Sequence, residues 1–168
     1  MGYEDHKESA GSPSIRCAVV TVSDTRTEET DKSGSIIKEK LRSHGHAIEH
    51  YSIVPDQIDR IEETLESATG SAQVVIFSGG TGISKRDTTY EIISRKLEKT
   101  LPGFGEIFRM LSYDDIGSGA ILSRATAGVY RDTIVFSIPG SSGAVTLAMD
   151  ALIVPELAHL VWEILRQK

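Results

Sequence analysis

One cysteine in 168 residues excludes an internal disulfide. Cys17 stands inside an apolar run, where a thiol is a small core residue rather than a nucleophile. Aromatic residues are scarce, 6% against 39% hydrophobic overall, so any core must be aliphatic. Positive charge is not in excess. A formal net charge of −6 argues against nucleic acid as the main partner, because a phosphate backbone needs a basic face. No uninterrupted apolar run approaches the roughly 18 residues of a membrane helix, which argues against a membrane partner. The opening MGYEDHKESAGSPS has no apolar signal core, and the expectation is a cytoplasmic protein. The Walker lysine pattern, the dinucleotide GxGxxG spacing and the GxSxG nucleophile elbow are also missing.

What is present is organised around Val74-Val-Ile-Phe-Ser-Gly-Gly-Thr-Gly-Ile-Ser-Lys-Arg-Asp87. Four apolar residues, Val74 to Phe77, read as a strand buried on both faces. Ser78-Gly79-Gly80-Thr81-Gly82 follows, and three glycines in four positions let a backbone turn tightly against a ligand. Thr88-x-x-Glu91 then reads as a capping box opening a helix. Strand, glycine loop and helix in that order mark the anion-binding edge of an open α/β sheet.

The remainder of the chain repeats the alternation. Residues 1–14 are charged and carry Gly, Ser and Pro, so a mobile tail is expected there, with one domain over 15–168. Strands are expected at Ile15–Val22, Ala47–Val54 and Thr133–Ile138. Helices are expected after Asp31, from Asp56 to Gly70, over Tyr90–Leu97 and Glu106–Leu111, across Ala120–Ala127, over Ala144–Leu152, and from Glu156 to Leu165. Such alternation implies a single α/β domain, a Rossmann-like three-layer αβα sandwich with a mostly parallel sheet.

A second glycine loop, Pro139-Gly140-Ser141-Ser142-Gly143, also follows a strand and precedes a helix. Both loops offer backbone N–H groups and hydroxyls suited to phosphate oxygens, and both should open on the same sheet edge. Asp56 and Asp87 each follow a strand. Each reads either as a helix N-cap or, beside a phosphate site, as a magnesium ligand. If their strands are neighbours, the two carboxylates share one crevice. Arg124 is a candidate for an anionic ligand. His44, His46 and His50 run from a helix end into a strand, which scatters them and argues against a metal site.

The sequence resembles the MoaB/MogA family of molybdenum cofactor biosynthesis, MoaB more than MogA. The similarity rests on Ser78–Gly82 with Arg86-Asp87, Pro102-Gly-Phe-Gly-Glu106, Leu122-Ser-Arg-Ala125, Ser137-Ile-Pro-Gly-Ser141 and Val154-Pro-Glu-Leu-Ala-His-Leu160, in family order from about Ile15 to Leu165. What this resemblance implies is a molybdopterin-binding domain that transfers AMP from MgATP to the terminal phosphate of molybdopterin and releases pyrophosphate. It places the family's two functional aspartates on Asp56 and Asp87, with magnesium, and implies a homotrimer or hexamer. A non-catalytic molybdopterin-binding or carrier protein is the alternative on the same fold. One departure stands out: Tyr90 occupies the place of the family's proline in Arg86-Asp-Thr-Thr-Tyr-Glu91.

Overall fold

The computed structural model describes residues 2–166. Six strands form one sheet: β1 (Arg16–Val22), β2 (Ala47–Val54), β3 (Val74–Ser78), β4 (Lys99–Thr100), β5 (Thr126–Tyr130) and β6 (Thr133–Ile138), in the order β2-β1-β3-β6-β5-β4. The first four of that order are parallel, and β5 and β4 add antiparallel pairs at one edge. β5 and β6 are joined by Arg131 and Asp132, both at positive φ, in the two-residue hairpin geometry that suits the strand twist.

Helices cover both faces, which explains why the central strands are continuously apolar. Along β3, Val74 and Ile76 enter the core beneath α2 (Lys32–Ser43), α5 (Pro102–Ile116), α6 (Ser142–Ala148) and α7 (Val154–Leu165). Val75 and Phe77 enter the core beneath α3 (Ile58–Thr69) and α4 (Thr89–Lys96). Strands expected at β1, β2, β3 and β6 are therefore present, and the architecture is the mixed α/β sandwich that the alternation implies.

Four local expectations fail. Residues 1–14 are not a bare tail, since α1 (Tyr3–Ala10) lies on α7. It buries no residue of its own. Polar partners hold it instead: Lys7 Nζ lies 2.9 Å from a Glu156 oxygen, and His6 Nδ1 lies 2.8 Å from Glu163. Residues 120–127 are not a helix. A 3-10 turn (Gly117–Leu122) gives way to β5, whose side chains meet β6 in a register that local pattern does not show. The apolar cluster at Ile107 to Leu111 belongs to a longer helix, α5, that starts at Pro102, a residue that fits a first helical turn. Pro155 does not break the last helix. Α6, a π-helical segment (Met149–Ile153) and α7 run on as one 24-residue helix, with the widened turn next to the proline that lacks an N–H. By length and composition that helix could cross a membrane, which no uninterrupted apolar run foretold. Here its stripe Val145, Ala148, Met149, Ile153, Leu157 and Val161 is packed in the core.

Candidate active site

The chain leaves β1 toward β2 on one side and returns to β3 on the other, so the strand order reverses between β1 and β3 while the strands stay parallel. Beyond the carboxyl ends of strands at such a point, loops diverge and leave a crevice. Four strand ends border this one, those of β1, β2, β3 and β6.

The first glycine loop lies directly on the end of β1. Gly79 has φ +102°, and a Cβ there would stand 2.3 Å from the Val22 carbonyl oxygen. Gly80 has φ +66°, and a Cβ there would stand 2.1 Å from Thr89 Oγ1 and 2.5 Å from an Asp56 oxygen. Glycine is required at both for sterics as well as for the turn. The second loop is wedged against the first. The Gly79 N–H donates to the Ile138 carbonyl at 3.0 Å, and a Cβ on Gly140 would lie 3.1 Å from Gly79 Cα. Ser33 Oγ donates to the Gly140 carbonyl, tying α2 to the same corner. Ser141 caps α6, accepting from Ala144 N at 3.3 Å, while Ser142 and Gly143 are exposed beyond it. A hollow of about 260 Å³ adjoins this loop, lined by Pro139, Ser141, Gly143 and Ser123. The Ser78 hydroxyl is buried at the strand end with no hydrogen-bond partner.

Asp56 and Asp87 come together, though not for the reason that spacing suggests. β2 and β3 are not neighbours, since β1 lies between them. The β3–α4 loop folds back instead. Asp56 accepts from Thr88 N at 3.2 Å and from Thr88 Oγ1 at 2.6 Å, so it serves the start of α4. It does not cap its own helix, whose N-cap is Gln57. Asp87 accepts from Ser84 N at 3.1 Å and Ser84 Oγ at 2.5 Å, closing the loop, and one of its oxygens would sit 2.6 Å from a Cβ on Gly82. Both carboxylates thus bear on Gly80–Gly82. Burial raises the Asp56 carboxyl above the usual carboxylate range. The Thr88 hydrogen bonds oppose that shift and the Asp87 charge adds to it.

Arg124 has a structural task. Its Nε donates to the Thr81 carbonyl at 2.8 Å, and its terminal nitrogens reach the Gly82 carbonyl and Glu91. The guanidinium also lies 4.7 Å from the centre of the Tyr90 ring. Glu91 therefore does not complete a capping box with Thr88. It pairs with Arg124, whose hydrogen bond holds the Glu91 carboxyl below the usual range. Thr81 is buried beneath this brace.

Sequence reasoning passed over several contributors. Asp24, just past β1, accepts from Asp56 N at 3.3 Å and from Arg86 Nη2 at 2.6 Å. Its place after the strand beside β3 was the available signal. Asp31, after which a helix is expected, does cap α2 through Gly34 N; what the sequence does not show is that it is buried and also accepts from Thr21 Oγ1 and the Tyr51 hydroxyl, each at 2.6 Å. A shallow hollow of about 450 Å³ flanks Asp87, Tyr90 and Glu91. Cys17 is fully buried, and burial pushes its thiol up to about 12, as expected of a core thiol. His44, His46 and His50 make separate contacts, to Lys40, Ile15 and Ser52.

Residues 18–159 match the family model described as a probable molybdopterin binding domain. The molybdenum cofactor biosynthesis protein B of Bacillus subtilis is 55% identical over the full length of both chains. A crystal structure of a molybdenum cofactor biosynthesis protein B superposes with a TM-score of 0.91 at 51% identity, covering 94% of this chain and 99% of that one. The tungsten cofactor synthesizing protein MoaB from Pyrococcus furiosus is 39% identical with a TM-score of 0.81, covering 89% of this chain and 96% of its own. On the strength of these matches and of the shared α/β sandwich, the chain belongs to the MoaB/MogA family of molybdenum cofactor biosynthesis proteins.

Proposed function

We propose that this protein acts in molybdenum or tungsten cofactor biosynthesis by adenylyl transfer from MgATP to molybdopterin. The observation that carries this reading is the convergence of Asp56 and Asp87 on Gly80–Gly82, beside a second glycine loop. A terminal phosphate oxygen of molybdopterin attacks the α-phosphorus of ATP. The new P–O bond replaces the bond to the pyrophosphate oxygen, and pyrophosphate leaves. The nucleophile is already anionic, so the protein mainly orients and neutralises.

Two phosphate-bearing substrates require two cradles, and the loops Ser78–Gly82 and Pro139–Ser142 supply them on one edge. Two carboxylates in a polar crevice form a hard-oxygen donor set of the kind magnesium takes, so Asp56 and Asp87 would hold the ion. When bound, magnesium supplies charge neutralisation at the phosphates. Asp24 holds Arg86 next to these carboxylates and so sets the local field.

The resemblance adds a closed homo-oligomer, trimer or hexamer. A surface is available for it. Met110, Tyr113, Ile116, Ile121 and Leu122 are more than half exposed along α5 and the 3-10 turn. The last helix is less suited, because its Leu157 and Val161 are spent on its own sheet.

The test is incubation of the purified full-length protein with MgATP and molybdopterin, with chromatography for adenylyl-molybdopterin and pyrophosphate. Magnesium-dependent formation of both is expected. Tight molybdopterin binding without turnover would replace the enzyme with the carrier.

A further inference from the structure

Away from the crevice, where α1 crosses α7, His6, His159 and Glu163 each bring a ligand atom within 4.8 Å of the other two. His6 Nδ1 is 2.8 Å from Glu163 Oε1, and His159 Nε2 is 3.6 Å from the same oxygen. Three donors around a tetrahedral zinc ion at 2.0–2.1 Å stand about 3.4 Å apart, between the hydrogen-bonded His6–Glu163 pair and the His159–Glu163 pair, so zinc would replace the His6 Nδ1 proton and widen that contact.

The surroundings are built in the same sense. Glu156 Oε2 lies 3.0 Å from His159 Nδ1, which puts a ring proton on that nitrogen, so in the neutral ring Nε2 keeps its lone pair. Nε2 is buried without a hydrogen-bond partner, and its lone pair faces a carboxylate oxygen. In the neutral ring two acceptors face each other there, a relation resolved either by a proton on Nε2 or by a metal cation between them. A carboxylate behind a histidine is also the usual outer support of a zinc ligand. The other Glu156 oxygen is taken by Tyr3 and Lys7, and the other Glu163 oxygen by Arg166. Glu163 Oε1 is thus left toward the histidines. The His6 ring lies against Trp162, 5.3 Å between centroids, which fixes its position over α7.

We propose that His6, His159 and Glu163 form a zinc-class divalent metal site, with Glu156 as the positioning residue, that fastens α1 to α7. A fourth position remains for water or for a donor from a second molecule. The site is independent of the adenylyl-transfer reading, since none of its residues borders the crevice.

The experiment uses full-length protein stripped with chelator and titrated with zinc and with cobalt. One ion per chain is expected, with the visible absorption of tetrahedral cobalt and a rise in Tm on zinc addition. His6→Ala, on a helix with no buried residue, should leave the fold intact and weaken zinc at least tenfold. His159→Ala should do the same, and Glu156→Gln should weaken it by about tenfold. His44→Asn and His50→Asn should change nothing. Fewer than one ion per chain, or affinity unchanged in His6→Ala, would overturn the site. Loss of binding in His44→Asn would place the ion elsewhere and overturn it equally.

Discussion

Asp56 reaches across 32 residues of sequence to accept the main-chain N–H and the hydroxyl of Thr88, so the loop after β2 holds the loop after β3. Asparagine at 56 keeps an oxygen for both donors but removes the charge. The same holds at Asp87, whose partners are the Ser84 N–H and hydroxyl. Asp56→Asn and Asp87→Asn should therefore melt near the wild type. Single-turnover adenylyl transfer should fall roughly a hundredfold or more in each, since metal-borne charge stabilisation amounts to several kcal/mol. If both groups serve one ion, as proposed, the double variant should lose less than the product of the two. Near-wild-type rates in Asp87→Asn would leave the carboxylates a purely structural task.

Gly79→Ala should cost at least about 2 kcal/mol, because a positive φ and a 2.3 Å approach to the Val22 carbonyl coincide. Urea denaturation measures this directly. A loss under about 0.5 kcal/mol would mean that the loop can move off the end of β1 at small cost.

Arg124→Lys tests whether the guanidinium braces the loop or greets a ligand. A lysine cannot span the Thr81 carbonyl, the Gly82 carbonyl and Glu91 together. A stability loss of about 2 kcal/mol is expected. Hydrogen exchange over residues 81–87 should also quicken in the absence of any ligand. Unchanged exchange with weakened substrate binding would return Arg124 to a ligand-binding role.

His46 offers a pH signature. Its Nδ1 accepts the Ile15 N–H at 3.2 Å, and burial lowers its affinity for a proton below the ordinary histidine value of 6.5. The unfolded chain then binds that proton more readily. The stabilisation is complete above pH 6.5 and is lost as the pH falls from there toward the lower folded value. His46→Asn retains an acceptor without a titrating group. The stability difference between wild type and variant should be flat above pH 7 and turn against the wild type below 6.5. A flat difference down to pH 5 would remove His46 from the acid sensitivity.

Ile121 and Met110 are exposed by 84% and 58%. Light scattering at micromolar concentration should show a trimer or hexamer. Ile121→Glu with Met110→Glu should dissociate it while circular dichroism stays unchanged. A monomeric wild type would end the proposal of a closed assembly.

The sheet was legible because its central strands are buried on both faces, and the apolar runs of β1, β3 and β6 announce that directly. The two glycine loops were legible for a related reason, since close backbone approach leaves no substitute for Gly79 or Gly80. The route by which Asp56 meets Asp87 was not. It depends on strand order and on a loop that folds back, and neither is encoded in local spacing. Arg124 was singled out as a candidate for an anionic ligand, but its bracing contacts were not legible, because its partners lie 33 to 43 residues away. The start of β5, Thr126 and Ala127, was read as the end of a helix over 120–127, because Thr126 to Tyr130 has little pattern of its own and gains its register from β6. Helix α1 was missed because it buries no residue of its own, and the ion pairs and ring contacts that hold it to α7 depend on tertiary placement.

The contact between Gly140 and Gly79 has a thermodynamic consequence. Each loop is the other's wall, and their backbones meet without side chains between them. The ordering entropy of both loops is therefore settled when the chain folds. Under the proposed function, a phosphate-bearing ligand would meet dipoles that are already aimed, and little of its binding free energy would be diverted into arranging them. The same rigidity makes the two loops one mutational unit, in which a side chain added at either glycine displaces both cradles at once.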